Sequence, residues 1–139
     1  MKVIIAGSRD IKDFSIIQKA IEQSGFDVTT VVSGGAKGVD SLGEKWAINN
    51  NIPIERYPAK WNDLNHPEAI IKTNQWGRKY NAAAGGIRNT QMAKVGDALI
   101  AIQIDGPTTG TQNMIRQAKK NKLKIHIYEK AEEDYEYKF

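Results

Sequence analysis

The apolar positions of this chain fall into short runs separated by segments of helical spacing. KVIIAG at residues 2–7 and ALIAIQI at 98–104 show little polar alternation, and VTTVVS at 28–33 is rich in β-branched residues. Such runs suit parallel strands covered on both faces. Further strands are predicted at Pro53–Pro58 and Lys124–Tyr128. Between the first two runs, Phe14, Ile17 and Ile21 recur at helical spacing behind Asp13 as N-cap, with Gly25 as the stop. Val39, Leu42 and Trp46 mark one face of a second helix, and a third is expected from about Thr111 to Asn121.

The alternation of strand and helix predicts an α/β fold: one Rossmann-like three-layer domain over residues 1–128, with a central parallel sheet of about five strands and right-handed crossovers. The stretch from Lys60 to Gly86 breaks the pattern. It is polar, carries Trp61, His66 and Trp76, and shows only weak helical spacing from Pro67 to Lys79, so it reads as an insertion beside the site. A helix from Ile87 to Val95 is entered through Gly85 and Gly86. Residues 129–139 read as an acidic, aromatic tail whose Tyr135, Tyr137 and Phe139 offer a contact for a neighbouring subunit.

Composition narrows the chemistry. The 139 residues include no cysteine and two histidines, which removes disulfides, thiolate nucleophiles and cysteine-ligated zinc and argues against any metal site or resident cofactor. No apolar run reaches the roughly 20 residues of a membrane helix, and the start of the chain reads as a strand and not as a signal peptide, so a cytoplasmic protein without membrane partners is expected. The net charge is +4, but Glu129, Glu132, Glu133, Asp134 and Glu136 crowd the tail, so residues 1–128 hold 18 basic against 11 acidic side chains. That surplus of seven favours an anionic ligand. Lys119, Lys120, Lys122 and Lys124 read as a solvated helix face.

Three predicted strands end in loops of one character: Gly7-Ser8-Arg9, then Ser33-Gly34-Gly35-Ala36-Lys37-Gly38, then Asp105-Gly106-Pro107-Thr108-Thr109-Gly110-Thr111. In a parallel sheet all three lie on the carboxyl edge, where open α/β sheets take ligands. Glycines let a phosphate approach backbone N–H groups, and the following helix adds its positive end. Arg9, Lys37 and Arg88 supply neutralising charge. Neither G-x-G-x-x-G nor G-x-x-x-x-G-K-[ST] is present, which argues against a standard NAD enzyme and a P-loop NTPase.

Four motifs in order, Ala6-Gly7-Ser8-Arg9, Ser33 to Asp40, Gly86-Ile87-Arg88-Asn89 with Met92, and Gly110-Thr111, make the chain similar to the SLOG superfamily, and within it to the YspA/YpsA-related small proteins of bacteria and phages. The resemblance covers roughly residues 1–128. It implies a Rossmannoid domain that takes nucleotide-derived ligands, as sensor or as enzyme, and it implies homo-oligomers. Relatives of the lonely-guy type cleave N-glycosidic bonds of nucleoside monophosphates with a glutamate from P-G-G-x-G-T-x-x-E and an arginine from R-K-x-x-M. Arg88-Asn89-Thr90-Gln91-Met92 resembles the second motif, but Met114 stands where the glutamate belongs. A thioether cannot stabilise an oxocarbenium ion or activate water.

The residues expected at the ligand are therefore Gly7, Ser8, Arg9, Ser33, Gly34, Gly35, Ala36, Lys37, Gly38, Asp40, Lys60, Trp61, Arg88, Asn89, Gly106, Thr108, Gly110 and Thr111. Asp40, Asp105 and Arg88 are the catalytic candidates. For Asp40 the reading as a helix cap, and for Asp105 as a turn residue, comes ahead of a catalytic one; Trp61 reads as a stacking platform or a core filler; His126, between Ile125 and Ile127, reads as structural. Trp76, with Arg78 and Lys79, suits a lid or a subunit contact. Capture of a nucleotide-derived molecule, of the cyclic or ADP-ribose-like kind, leads. An N-glycosidase or related nucleotide-processing enzyme comes second, and single-stranded DNA binding, implied by the DNA-processing branch, comes last because no basic strip with interleaved aromatics is visible in the sequence.

Overall fold

The computed structural model describes residues 1–104 and 106–129. Asp105 and the expected aromatic tail from residue 130 onward lie outside the described residues. The apolar runs become β1 (Lys2–Gly7), β2 (Thr30–Ser33), β3 (Ile54–Arg56), β6 (Ala98–Ile102) and β7 (Lys124–Tyr128). They form one parallel sheet in the order β3-β2-β1-β6-β7. The expected five-stranded α/β architecture is present.

Helix α1 (Phe14–Ser24) starts at Asp13, whose carboxylate accepts the Ser15 N–H at 3.0 Å, and stops at Gly25 in the left-handed region, as the sequence indicated. With α2 (Val39–Asn49) it covers one face of the sheet, where Val3, Ile5, Ile17, Val31, Ile100 and Ile102 are buried. Helices α3 (Ala84–Val95) and α4 (Thr109–Lys120) cover the other, over Ile4, Val32, Leu99, Met92 and Met114. Because β1 and β6 are neighbours whose following helices lie on opposite faces, their carboxyl ends diverge into a crevice.

Two boundaries differ from expectation for one reason. Helix α3 begins at Ala84, so Gly85 and Gly86 lie inside it, and α4 begins at Thr109, so Gly110 and Thr111 belong to its first turn. Glycine lowers helix propensity but does not forbid helix, and these glycines sit in the first turns of α3 and α4.

The weak helical spacing from Pro67 to Lys79 is overturned. The segment forms an antiparallel hairpin, β4 (Ile71–Thr73) with β5 (Lys79–Asn81). Turn chemistry decides it: Asn74 Oδ1 accepts the N–H of Trp76 and of Arg78, each at 2.9 Å, and Gly77 takes φ +80°. The root is tied by Asn81, which is 1% exposed and whose Oδ1 accepts Ile70 N–H at 3.1 Å and Ala83 N–H at 2.9 Å. Asn81→Ala strands both donors and is expected to cost about 2 kcal/mol in a urea unfolding curve; a change within error would show that the root is held elsewhere.

Candidate functional site

The crevice between β1 and β6 opens into a cleft of about 430 Å³. Its walls come from Gly7, Ser8, Arg9 and Asp10 after β1, Ala36 and Asp40 before and within α2, Arg88, Asn89 and Met92 of α3, and Thr108, Gly110, Thr111 and Met114 of α4. Ten of the expected ligand residues thus meet in one place. Two adjoining lobes share Arg9 and Arg88 with it. One, about 360 Å³, runs along Gly34, Gly35 and Lys37 to Trp61; the other, about 540 Å³, lies between Trp61, Gly86, Asn113 and Gln117.

Arg88 is fixed from both sides. Its Nη1 donates to the Gly34 carbonyl at 2.7 Å and its Nε to Asn89 Oδ1 at 3.0 Å. Asn89, 7% exposed, in turn donates to Asn113 Oδ1 at 3.0 Å and to the Gly110 carbonyl at 3.4 Å. One chain of hydrogen bonds therefore joins the loop after β2, α3 and the start of α4, and the guanidinium is held in position before a ligand arrives. Gly34 makes room for it: a Cβ there would overlap the guanidinium and stand 2.8 Å from Asp40 Oδ2.

Asp40 lies in the first turn of α2, and its Oδ2 accepts the Ala36 N–H at 3.1 Å. Burial pushes its carboxyl up to about 6, against the pull of the Ala36 N–H and of the Arg88 and Arg9 charges. Burial also lowers the Arg88 guanidinium, with Asp40 opposing the shift. Both directions follow from charges held where water is scarce.

The consequence for stability has a definite sign. The unfolded chain releases the Asp40 proton near its ordinary value of about 3.9, the folded chain near 6, so the stability this residue contributes is full below about pH 4 and is lost as pH rises through 6. Asp40→Asn is therefore expected to raise the melting temperature relative to the native chain above about pH 6 and to leave it near the native value below about pH 4. Parallel melts across that range test this; a constant offset would contradict it.

The start of α4 carries no carboxylate in its first turn, and Thr108 makes no side-chain cap to the backbone. Thr108 Oγ1 instead donates to Thr111 Oγ1 at 2.8 Å. The positive helix end, with no carboxylate in its first turn, therefore faces the cleft beside Arg9 and Arg88, in a space that Asp10 and Asp40 also line.

The remaining expected residues lie elsewhere. Ser33 is buried at 1% exposure, its hydroxyl donating to Glu44 Oε2 at 2.7 Å and accepting the Gly35 N–H at 3.0 Å, so it braces the loop from beneath. Gly38 takes φ +76° where its backbone passes against Ser8 and Arg9, and Val39 N–H donates to the Ser8 carbonyl at 3.2 Å. Lys60 lines none of the three lobes but a small adjoining hollow with Asp63, His66 and Arg88. Gly106, at φ +96°, is exposed and lines none of the three lobes. Met114, 1% exposed, floors the cleft where a catalytic carboxylate was sought. Trp61 is 38% exposed with its ring 3.4 Å from where a Cβ of Gly85 would stand, so it walls both outer lobes and does not fill a core gap.

Asn113 and Gln117 were not anticipated. They are one helical turn apart on α4 and reach the cleft because α4 crosses beside α3, a pairing that no local pattern reveals. Among the described residues no cluster of three metal-ligating side chains occurs, and no helix is long and apolar enough to cross a membrane.

The model of the YspA, cpYpsA-related SLOG family matches residues 1–63. The Gene 61 protein of Mycobacterium phage D29 is 30% identical over 130 residues, covering 86% of this chain and 89% of that protein. The chain belongs to this SLOG family. The loops after β1 and β2 fall within the matched residues; α3, α4 and the hairpin lie beyond them. The DNA processing protein A of Streptococcus pneumoniae shares the fold, with a TM-score of 0.63 at 18% identity. That likeness covers 96% of the SLOG chain, which spans about half, 52%, of the streptococcal protein.

Proposed function

We propose that the cleft at the β1/β6 crevice binds a nucleotide-derived small molecule, its phosphate received by the Gly7–Arg9 loop and the start of α4. The observation that carries this reading is the convergence of Arg9, the pre-positioned Arg88 and a helix N-terminus with no carboxylate in its first turn on a space of about 430 Å³, a size suited to a nucleotide. Trp61 offers a face for the base, and Asn113 and Gln117 offer hydrogen bonds to its edge. Membership of the SLOG family supports a nucleotide or nucleic-acid partner. Mass spectrometry of small molecules released on denaturing the purified protein tests the reading. A stoichiometric, chemically intact nucleotide supports it; no bound species, together with no calorimetric response to adenosine nucleotides or ADP-ribose, overturns it.

A second reading has one observation in its favour: Asp40, a carboxyl that titrates near 6, shares the cleft with Arg88. A carboxyl poised near neutral pH suits acid–base work on a nucleotide N-glycosidic bond. Incubation with adenosine monophosphate distinguishes the two. Accumulating free adenine, lost in Asp40→Asn, moves the enzyme reading to first place.

A further inference from the structure

We propose that the β4–β5 hairpin is a contact surface for single-stranded nucleic acid, with the bases stacking on Trp76 and Tyr80 and the phosphates neutralised by Lys72 and Arg78. The surface is independent of what occupies the cleft.

In sequence these residues are dispersed, and the hairpin gathers them. The ladder pairs Ile71 with Asn81, Lys72 with Tyr80 and Thr73 with Lys79, and Asn74 N–H closes it on the Arg78 carbonyl at 2.9 Å. Successive side chains of a strand point to opposite faces. Asn81 is buried against the body of the protein and Tyr80 is half-buried, whereas Lys72, Thr73, Arg78 and Lys79 are exposed, as is Ile71. Arg78 stands two residues before Tyr80, which pairs directly with Lys72. Directly opposed residues stand about 5 Å apart at Cβ and those two along a strand about 7 Å, so an aromatic ring lies between two cations.

Trp76 extends the strip at the tip. It is 81% exposed, the most exposed large apolar side chain among the described residues, and its backbone is pinned by Asn74. Keeping an indole in water is unfavourable, and a fixed turn holds it there. None of Lys72, Arg78 and Lys79 has an ion-pair partner among the described residues, and residues 70–81 contain no acidic side chain. An exposed indole and a half-exposed phenol ring flanked by unpaired cations are the composition of a single-strand platform, where every base offers a π-face and the backbone supplies charge. A lipid surface would use the same cations but rewards an apolar tip. Here the indole stands between Gln75 and Gly77, with Asn74 and Arg78 beyond them.

The test is fluorescence anisotropy of a labelled oligothymidylate titrated with the full chain at two salt concentrations. Saturable binding that weakens with salt is expected. Trp76→Ala should weaken it about tenfold, and the double substitution Lys72→Glu, Arg78→Glu should remove it. The control Lys119→Glu, Lys120→Glu, on exposed residues at the far end of α4, should leave most of the affinity. Melting curves confirm that the substitutions leave the fold intact. No saturable binding, equal losses from hairpin and control substitutions, or capture by phosphatidylserine vesicles in place of the oligonucleotide overturns the proposal.

Discussion

Arg88→Met is expected to lower affinity for a phosphate-bearing probe such as adenosine monophosphate by about a hundredfold, the equivalent of losing one or two charge-assisted hydrogen bonds. Arg88 lines all three lobes and donates to the Gly34 carbonyl and to Asn89. Methionine fills much of the same volume without charge or donors, so the loss reports electrostatics and not a cavity. Arg88→Lys separates charge from geometry. An ammonium cannot hold two acceptors and still present a planar fork, so an intermediate loss of about tenfold is expected. Isothermal titration of the three proteins decides the matter. An unchanged affinity in Arg88→Met would place the anion elsewhere and remove the basis of the proposed cleft.

Gly38→Ala should be the most destabilising single-methyl addition in the site, at about 3 kcal/mol or more by denaturant unfolding. Two independent costs combine. At φ +76° and ψ −125° the backbone occupies a region open essentially to glycine. The added Cβ would also overlap the Ser8 carbonyl oxygen and lie 2.6 Å from the Arg9 backbone, where no flexible side chain can give way. The loops after β1 and β2 would have to part, and the Val39 to Ser8 hydrogen bond with them. Gly35→Ala is the comparison: its φ is +72° but nothing lies within 4 Å of the new methyl, so only the backbone cost remains. Similar losses at both positions would show that the close approach of the two loops is not what demands glycine at residue 38.

The parts of this architecture that were legible in the sequence are those set by local rules. KVIIAG and ALIAI read as strands buried on both faces because they are short, β-branched or apolar nearly throughout, and bounded by turn residues. Asp13 and Gly25 bounded α1 because each satisfies a backbone demand that its neighbours cannot. The carboxyl-edge location of the glycine loops followed from strand direction alone. What was illegible depends on contacts between distant segments. Gly85 is helical beside the Trp61 ring, and Asn113 faces the site only because Asn89 reaches it from α3. The hairpin is hidden within a stretch that reads as an insertion of weak helical spacing, because its strands are only three residues long and mostly polar, so period two does not emerge. The Asn74 to Gly77 turn was the available signal. Met114, at 1% exposure, completes the apolar layer beneath α4, a position where a carboxylate would be buried among apolar side chains.

The tie formed by Asn81 has a consequence for how such a domain diversifies. Its carboxamide holds Ile70 and Ala83, and the Ala82 N–H donates to the Ile70 carbonyl at 2.7 Å, so the chain enters and leaves the hairpin at adjacent points. Residues 71–80 are thus a cassette closed at its base, with the sheet and the cleft complete on the other side of the knot. Shortening, lengthening or exchanging the cassette is expected to leave the strand order untouched, which makes it a place to change what the domain touches without rebuilding what it holds.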